Sequence, residues 1–534
     1  MRRKISVIGV ILIFICGGSV VIAQPAARKD FPAFVHNENS GYTFLVDGKP
    51  FIVLGAQLWN SSSWPYILDH TWPLLKEMHC NTLEAPVYWQ VVEPEPGKYR
   101  FDEIDSLIVG ARKQGLRLIL LWFGTYKNGS SSYAPAWVLQ HPEKFPRIKN
   151  AAGEQLQILS PLSPANLEAD KSAFTSLMRH LRQTDSQEHT VIMMQVENEP
   201  GSLGTDRDYS DEATKAFNDN VPNTLVEKMG MKSGNWQEIF GLDGAEAFSA
   251  HTVARYINEI AAAGQKEFNL PMYTNAWLRE NDFERPGEYP SGGATSNMIA
   301  IWKAVAPSLI LLAPDIYQSN VNVFLDICKK YQRSDNPLFI PEMGKGIDFA
   351  RYQFYALGNY HALGVATYGI DFYLTDPGDE RSKVGLDKKF AAFADNYRLL
   401  SAALPELAAL QSGGKLKAAG EEYGLHEQLL TMGGYDILFS FGLPLYKPNK
   451  SLTGRVLIGE LGEDEFLIAG FDCKFQFRPT FGSGYHRAEY VVIEEGYYEG
   501  GKWVRRRIWN GDELYHSTLT PEGNLLKVRV QKIK

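Results

Sequence analysis

Leu116-Arg117-Leu118-Ile119-Leu120-Leu121-Trp122 is an apolar run broken only by Arg117, and it shows no alternation of polar and apolar residues. A strand of that composition is buried on both faces, as in a parallel sheet covered by helices. The residues before it fit this reading. Ile104–Gln114 has the spacing of an amphipathic helix, and Gly115 ends it. The same unit recurs in both directions. Strand-like runs begin at 51, 82, 116, 191, 271, 309, 338 and 365, eight in all. Helical patterns at Trp72–His79, Leu167–Arg182, Ala247–Phe268, Ile299–Ala306, Val323–Tyr331 and Arg351–Leu363 separate most of them. Eight strand–helix units over roughly 330 residues predict an α/β fold, a (β/α)8 TIM barrel with long loops. A doubly wound open sheet is the alternative, but no Gly-x-Gly-x-x-Gly follows an early strand.

The ends of the chain read differently. Arg2, Arg3 and Lys4 precede an apolar run from Ile5 to Cys16, and Val21-Ile22-Ala23 supplies a small-residue cleavage site. This is the pattern of a secretory signal peptide, and it predicts export to the periplasm or the cell exterior. The run falls short of the ~20 residues needed to span a bilayer, so no stable membrane insertion is expected after processing. Tyr42–Val46 and Phe51–Ala56 flank Asp47-Gly48, a hairpin signal. A helix near Phe390–Leu410 closes the barrel region. From Gly413 onward, strand-like segments at Tyr435–Phe441, Arg455–Glu460, Glu465–Phe471, Ala488–Glu495, Lys502–Trp509 and Leu525–Gln531 alternate with Gly and Asn-Gly turns. They predict a small antiparallel β-sandwich or jelly roll. The chain thus divides into a signal at 1–23, a barrel over 24–410 and a β domain over 411–534.

The 534 residues carry Lys+Arg 54 against Asp+Glu 62, a net charge of -8, and removal of the signal makes the chain three charges more negative. An acidic chain with 44% hydrophobic and 22% charged residues is neither disordered nor a cationic nucleic-acid binder. After the signal, Cys80, Cys328 and Cys473 stand far apart among apolar neighbours, which favours buried free thiols over a disulfide framework.

In a TIM barrel the chemistry sits at the C-terminal ends of the strands. After Val191–Val196 comes Glu197-Asn198-Glu199-Pro200-Gly201, and after Leu338–Pro341 comes Glu342. Glu199 and Glu342, three strands apart, are therefore expected to face each other across the barrel mouth. A carboxyl pair so placed hydrolyses glycosides: one protonates the leaving oxygen, and the other attacks the anomeric carbon or activates water. Retention calls for carboxyl groups ~5–5.5 Å apart, inversion for ~6.5–9.5 Å. No metal or cofactor is expected, since no His-Glu-x-x-His helix or carboxylate cluster with ligand spacing is present.

Several segments resemble glycoside hydrolase family 35 β-galactosidases. Gln195-Val196-Glu197-Asn198-Glu199-Pro200-Gly201 is similar to the family's Gln-Val-Glu-Asn-Glu-Tyr-Gly. Phe44–Phe51, Glu93–Asp102 and Ala134-Pro135-Ala136-Trp137 resemble its opening hairpin, the segment after its second strand and its Leu-Pro-Ala-Trp. The likeness covers most of 40–375 and is greatest to the shorter bacterial branch that includes enzymes acting on xyloglucan galactosyl side chains. It implies a retaining, exo-acting β-galactosidase on plant-type oligo- or polysaccharides. It also implies that Glu199 is the acid/base, Glu342 the nucleophile, and Asn198 the partner of the sugar 2-hydroxyl. Tyr317 would orient Glu342, and Trp89 would line the pocket. Gln57, after the first strand, and Asn275, after the fifth, are further candidate contacts. Trp277 and Trp302 are candidates for a stacking platform, and Glu197 for a supporting role.

The sequence also departs from the family. Pro86 replaces a Tyr, and Tyr126-Lys127-Asn128-Gly129-Ser130 stands where the larger enzymes carry an Ala-Glu pair that contacts galactose. Lys127 or Asn128 is expected to substitute for that pair. Two alternatives follow: the same mechanism on a β-glucoside, arabinoside or fucoside, or a non-catalytic carbohydrate-binding barrel.

Overall fold

The computed structural model describes residues 31–38, 41–372, 385–442 and 452–534; the predicted signal at 1–23 lies outside them. The barrel closes. Its eight parallel strands are Val53–Gln57, Thr82–Tyr88, Arg117–Lys127, Val191–Asn198, Met272–Trp277, Leu311–Ile316, Ile340–Met343 and Gly364–Tyr368, each paired with its neighbours in chain order and the last with the first. All eight coincide with predicted runs.

The second strand shows how its sequence serves two cores. Leu83, Ala85 and Val87 face outward and pack against helices, whereas Tyr88 joins Ile119, Leu121, Phe123, Tyr273 and Phe339 inside the barrel. Glu84 is fully buried in the strand between them. The hairpin Gly41–Val46/Lys49–Pro50 lies across one end, and its Phe44 and Val46 enter the same inner core.

Pro65 starts the first barrel helix, Pro65–Glu77, seven residues before the predicted Trp72, and Pro73 lies inside it. The helix predicted near Phe390–Leu410 is two, Ala391–Ser401 and Leu404–Ser412. Pro405 sits in the first turn of the second, where a missing N–H costs nothing, and disfavours a helix running through Leu404.

The C-terminal region is antiparallel throughout. A six-stranded sheet faces a three-stranded one around Ile437, Phe439, Phe466, Phe475 and Val528. The strands Leu416–Gly420, Glu427–Met432 and Cys473–Pro479 add to those read from sequence. This region is fastened to the barrel. Asn359, ending the helix Ile347–Asn359, exchanges hydrogen bonds of 3.1 and 2.9 Å with the backbone of Ala418. Leu457, Leu467 and Phe471 continue the barrel's own core. Among the described residues, no helix is long and apolar enough to cross a membrane.

Candidate active site

The fourth strand ends in a twisted segment. Glu197 and Glu199 both have positive φ, 64° and 45°, a conformation that non-glycine residues hold only where their surroundings fix it. The fixing contacts are visible. The Glu197 carboxyl accepts the backbone N–H groups of Thr125 at 3.2 Å and Tyr126 at 2.6 Å. Beside it, Asp170 accepts from the Trp122 indole and from Thr125, both at 2.9 Å. Both acids are fully buried, and burial raises both carboxyls above their usual range. Gly124 makes room: a Cβ there would run into the Trp122 indole nitrogen and lie 2.8 Å from both Asp170 and Glu197. The Glu199 backbone N–H is held by the Asn275 side-chain oxygen at 2.8 Å.

This anchoring turns the Glu199 carboxyl toward Glu342. Glu199, Asp315 and Glu342 each place a carboxyl oxygen within 4.8 Å of the other two, and all three are buried. The seventh strand carries Glu342 in register with Asp315 on the sixth. Glu342 is surrounded by donors. Gln57 Nε2 lies 3.0 Å, Asn198 Nδ2 3.2 Å and Asn275 Nδ2 3.5 Å from its Oε1, and the Tyr317 hydroxyl donates to Oε2 at 2.8 Å. These four donors hold both carboxyl oxygens in a fixed orientation. Glu199 differs. Burial first, and the nearby Glu342 charge second, push its carboxyl up to about 7, while Lys127 and a hydrogen bond from Asp315 pull the other way. Asp315 is itself held well above the carboxylate range by burial and by both glutamates.

A cleft of about 450 Å³ opens over these groups, lined by Trp59, Asn60, Lys127, Asn128, Trp277, Tyr317 and Tyr368 among others. Its wall of aromatic and amide side chains around a few convergent charges is suited to a small polar ligand with flat apolar faces.

The profile of Glycosyl hydrolases family 35 matches residues 43–275, which carry the first four barrel strands, most of the fifth, and Glu199. Over those residues the chain is similar to family 35 β-galactosidases. The β-galactosidase GalA of Bacillus licheniformis is 26% identical over 262 residues, 42% of this chain and 36% of that one. A β-galactosidase of Xanthomonas manihotis is 27% identical over 202 residues, 36% of this chain and 31% of that one. The match thus spans about a third of either relative's length. Among solved structures, the β-galactosidase of Marinomonas ef1 aligns with a TM-score of 0.48 at 13% identity, over 67% of this chain and 61% of that one. Residues 393–520 match a Domain of unknown function (DUF5597).

In this barrel the structure brings together Glu199, Glu342, Asn198, Gln57, Asn275 and Tyr317, and it places Asn128 on the cleft wall. Trp89 is a correction. It is fully buried behind the second strand, gives its indole N–H to Glu93 at 3.1 Å and packs edge-on against Trp137, so it does not line the cleft. Trp302 is likewise buried, donating to the Gly292 carbonyl, whereas Trp277 does face the cleft. Two acids escaped the sequence reading. Asp315 ends the apolar run Leu311–Pro314, so the rule that found Glu342 points to it as well. Glu84 sits mid-strand with no flanking signal. Burial, the Glu342 charge and its place beside Tyr273 mark it only in three dimensions.

Proposed function

We propose that this protein is a retaining, exo-acting β-galactosidase that removes terminal β-galactosyl residues from plant-type oligo- or polysaccharides, xyloglucan side chains among them. The observation that carries this reading is the approach of the Glu199 and Glu342 carboxyl oxygens to within 4.8 Å, with Glu199 raised to about 7. That close approach of the nearest oxygens supports the shorter, retaining separation of ~5–5.5 Å between carboxyl groups over the wider inverting one.

The cycle then runs in two displacements. Glu342, ionised, attacks the anomeric carbon while Glu199, protonated, delivers its proton to the leaving oxygen. Glu342 becomes a glycosyl ester and loses its charge. Because that charge helps to raise Glu199, its loss lowers the Glu199 carboxyl and suits it to take a proton from water in the second step. Asn198, whose amide lies 3.2 Å from Glu342, is the group assigned to the sugar 2-hydroxyl. Lys127 or Asn128, both on the cleft wall, substitutes for the family's Ala-Glu pair.

Nitrophenyl β-galactoside turnover tests the assignment. The wild-type chain is expected to release nitrophenol, and Glu342→Gln to lose turnover by several orders of magnitude. Normal turnover in Glu342→Gln contradicts it. A panel of aryl β-galactoside, glucoside, arabinoside and fucoside decides the sugar. The basic start and apolar run at 2–16 support export, which N-terminal sequencing of the mature protein from the periplasm or medium checks.

A further inference from the structure

A second cleft opens beside the catalytic one, where the barrel meets the C-terminal β region. Its volume is about 660 Å³, larger than the 450 Å³ of the catalytic cleft. The two adjoin along one stretch of chain. Tyr317 and Gln318 line the catalytic cleft, and the next two residues, Ser319 and Asn320, line the second. This divide is fixed in place. The Tyr352 hydroxyl donates to the Ser319 carbonyl at 2.6 Å, and Asn320 caps the helix Val321–Tyr331. Four residues reach at most ~3.6 Å each, so the divide is no wider than roughly 14 Å.

The far wall carries Tyr423, which is 96% exposed. The turn presenting it is closed by paired backbone hydrogen bonds between Glu422 and Leu425, at 3.2 and 2.9 Å. A bare aromatic ring held on a closed turn at a cleft edge offers a flat face for the C–H face of a pyranose, at little ordering cost. The floor carries one cation between two carboxyl groups. Arg351 is held between Asp348 at 2.7 Å and Glu422 at 3.1 Å, so among the described residues lining this cleft no unpaired cation draws an anionic chain. Ser319 and the exposed Asn322 add neutral hydrogen-bonding groups to the rim.

We propose that this second cleft binds the continuing chain of a neutral polysaccharide whose terminal sugar occupies the catalytic cleft. The inference deepens the glycosidase reading and rests on it for orientation. It makes the substrate a polymer, held at two points on either side of Tyr317–Asn320.

The test compares full-length wild type with Tyr423→Ala, a change at an exposed side chain, on galactosylated xyloglucan and on nitrophenyl β-galactoside. The value of kcat/KM on the polymer is expected to fall about tenfold, through KM, the scale of losing one aromatic anchor, while the aryl galactoside is turned over as before. Affinity electrophoresis in gels containing the same xyloglucan, run with Glu342→Gln and with Glu342→Gln/Tyr423→Ala, reads binding without turnover. Retardation is expected for the first and lost for the second. Equal retardation of both, no retardation of either, or kinetics that stay unchanged or fall together on both substrates overturns the proposal. A chain that turns over no aryl galactoside yet is retarded through Tyr423 sinks the catalytic reading and leaves the polysaccharide cleft standing.

Discussion

The Lys127 ammonium lies 2.8 Å from the side-chain oxygen of Asn198 inside the catalytic cleft. An ammonium can only donate, so it holds the amide oxygen toward itself and leaves the Asn198 NH2 facing Glu342 at 3.2 Å. One buried cation thus orients the amide beside the proposed nucleophile. It also holds down the neighbouring acid, since its charge lowers the Glu199 carboxyl. Lys127 can do both because the third strand runs on past the barrel body to pair with Asn198 after a register shift.

Lys127→Met therefore separates two effects. Loss of the amide's orientation lowers kcat. Loss of the positive charge raises Glu199 further, and the acid form of Glu199 then persists to higher pH. The alkaline limb of kcat/KM is expected near pH 7 in the wild type and above it in Lys127→Met. A pH–rate profile checks this, and an unmoved alkaline limb contradicts it.

Glu199 also links stability to pH. Its ordinary value of 4.5 becomes about 7 in the fold, so the unfolded chain ionises first as pH rises. Between pH 4.5 and 7 the folded state loses ground, by up to about 3 kcal/mol above that window. Glu199→Gln removes this loss. It is expected to raise Tm relative to wild type at pH 8, and the difference is expected to close at pH 4. Thermal denaturation at both values measures it.

The Tyr317 hydroxyl, 2.8 Å from Glu342 Oε2, is a charge-assisted donor. Such a bond is worth about 1.5–3 kcal/mol, so Tyr317→Phe is expected to reduce kcat on the order of 10- to 100-fold. The change in KM is expected to be small. Steady-state kinetics on an aryl galactoside separate the two constants.

Gly124→Ala tests the anchoring beneath the site. The added methyl strikes the Trp122 indole and crowds Asp170 and Glu197, the groups that fix Thr125 and Tyr126 just before Lys127. Overpacking of this kind costs about 1–3 kcal/mol. A lowered Tm together with a loss of activity is expected; wild-type values for both contradict the account.

The barrel was legible because all eight of its strands are short apolar runs bounded by helical patterns, and burial on both faces leaves that signature in composition alone. Glu342 was legible because it follows such a run directly, and Glu199 because it stands three residues past one, in Glu197-Asn198-Glu199. Trp89 was misplaced because a residue one position past a strand end can turn back under the helices, and composition does not record that turn. Glu84 was hidden because one acid within Thr82–Tyr88 resembles an ordinary interruption until Glu342 and Tyr273 are brought beside it. The strand Glu427–Met432 was missed because half of its residues are exposed and it carries no apolar run.

The central claim is that Glu342 attacks sugar and Glu199 serves it. Covalent labelling with 2-deoxy-2-fluoro-β-galactosyl fluoride, followed by mass mapping of the digested chain, tests it most directly. The account predicts one fluorogalactosyl group per chain, esterified to Glu342. A label on another residue, or none under conditions where the chain turns over an aryl galactoside, contradicts it.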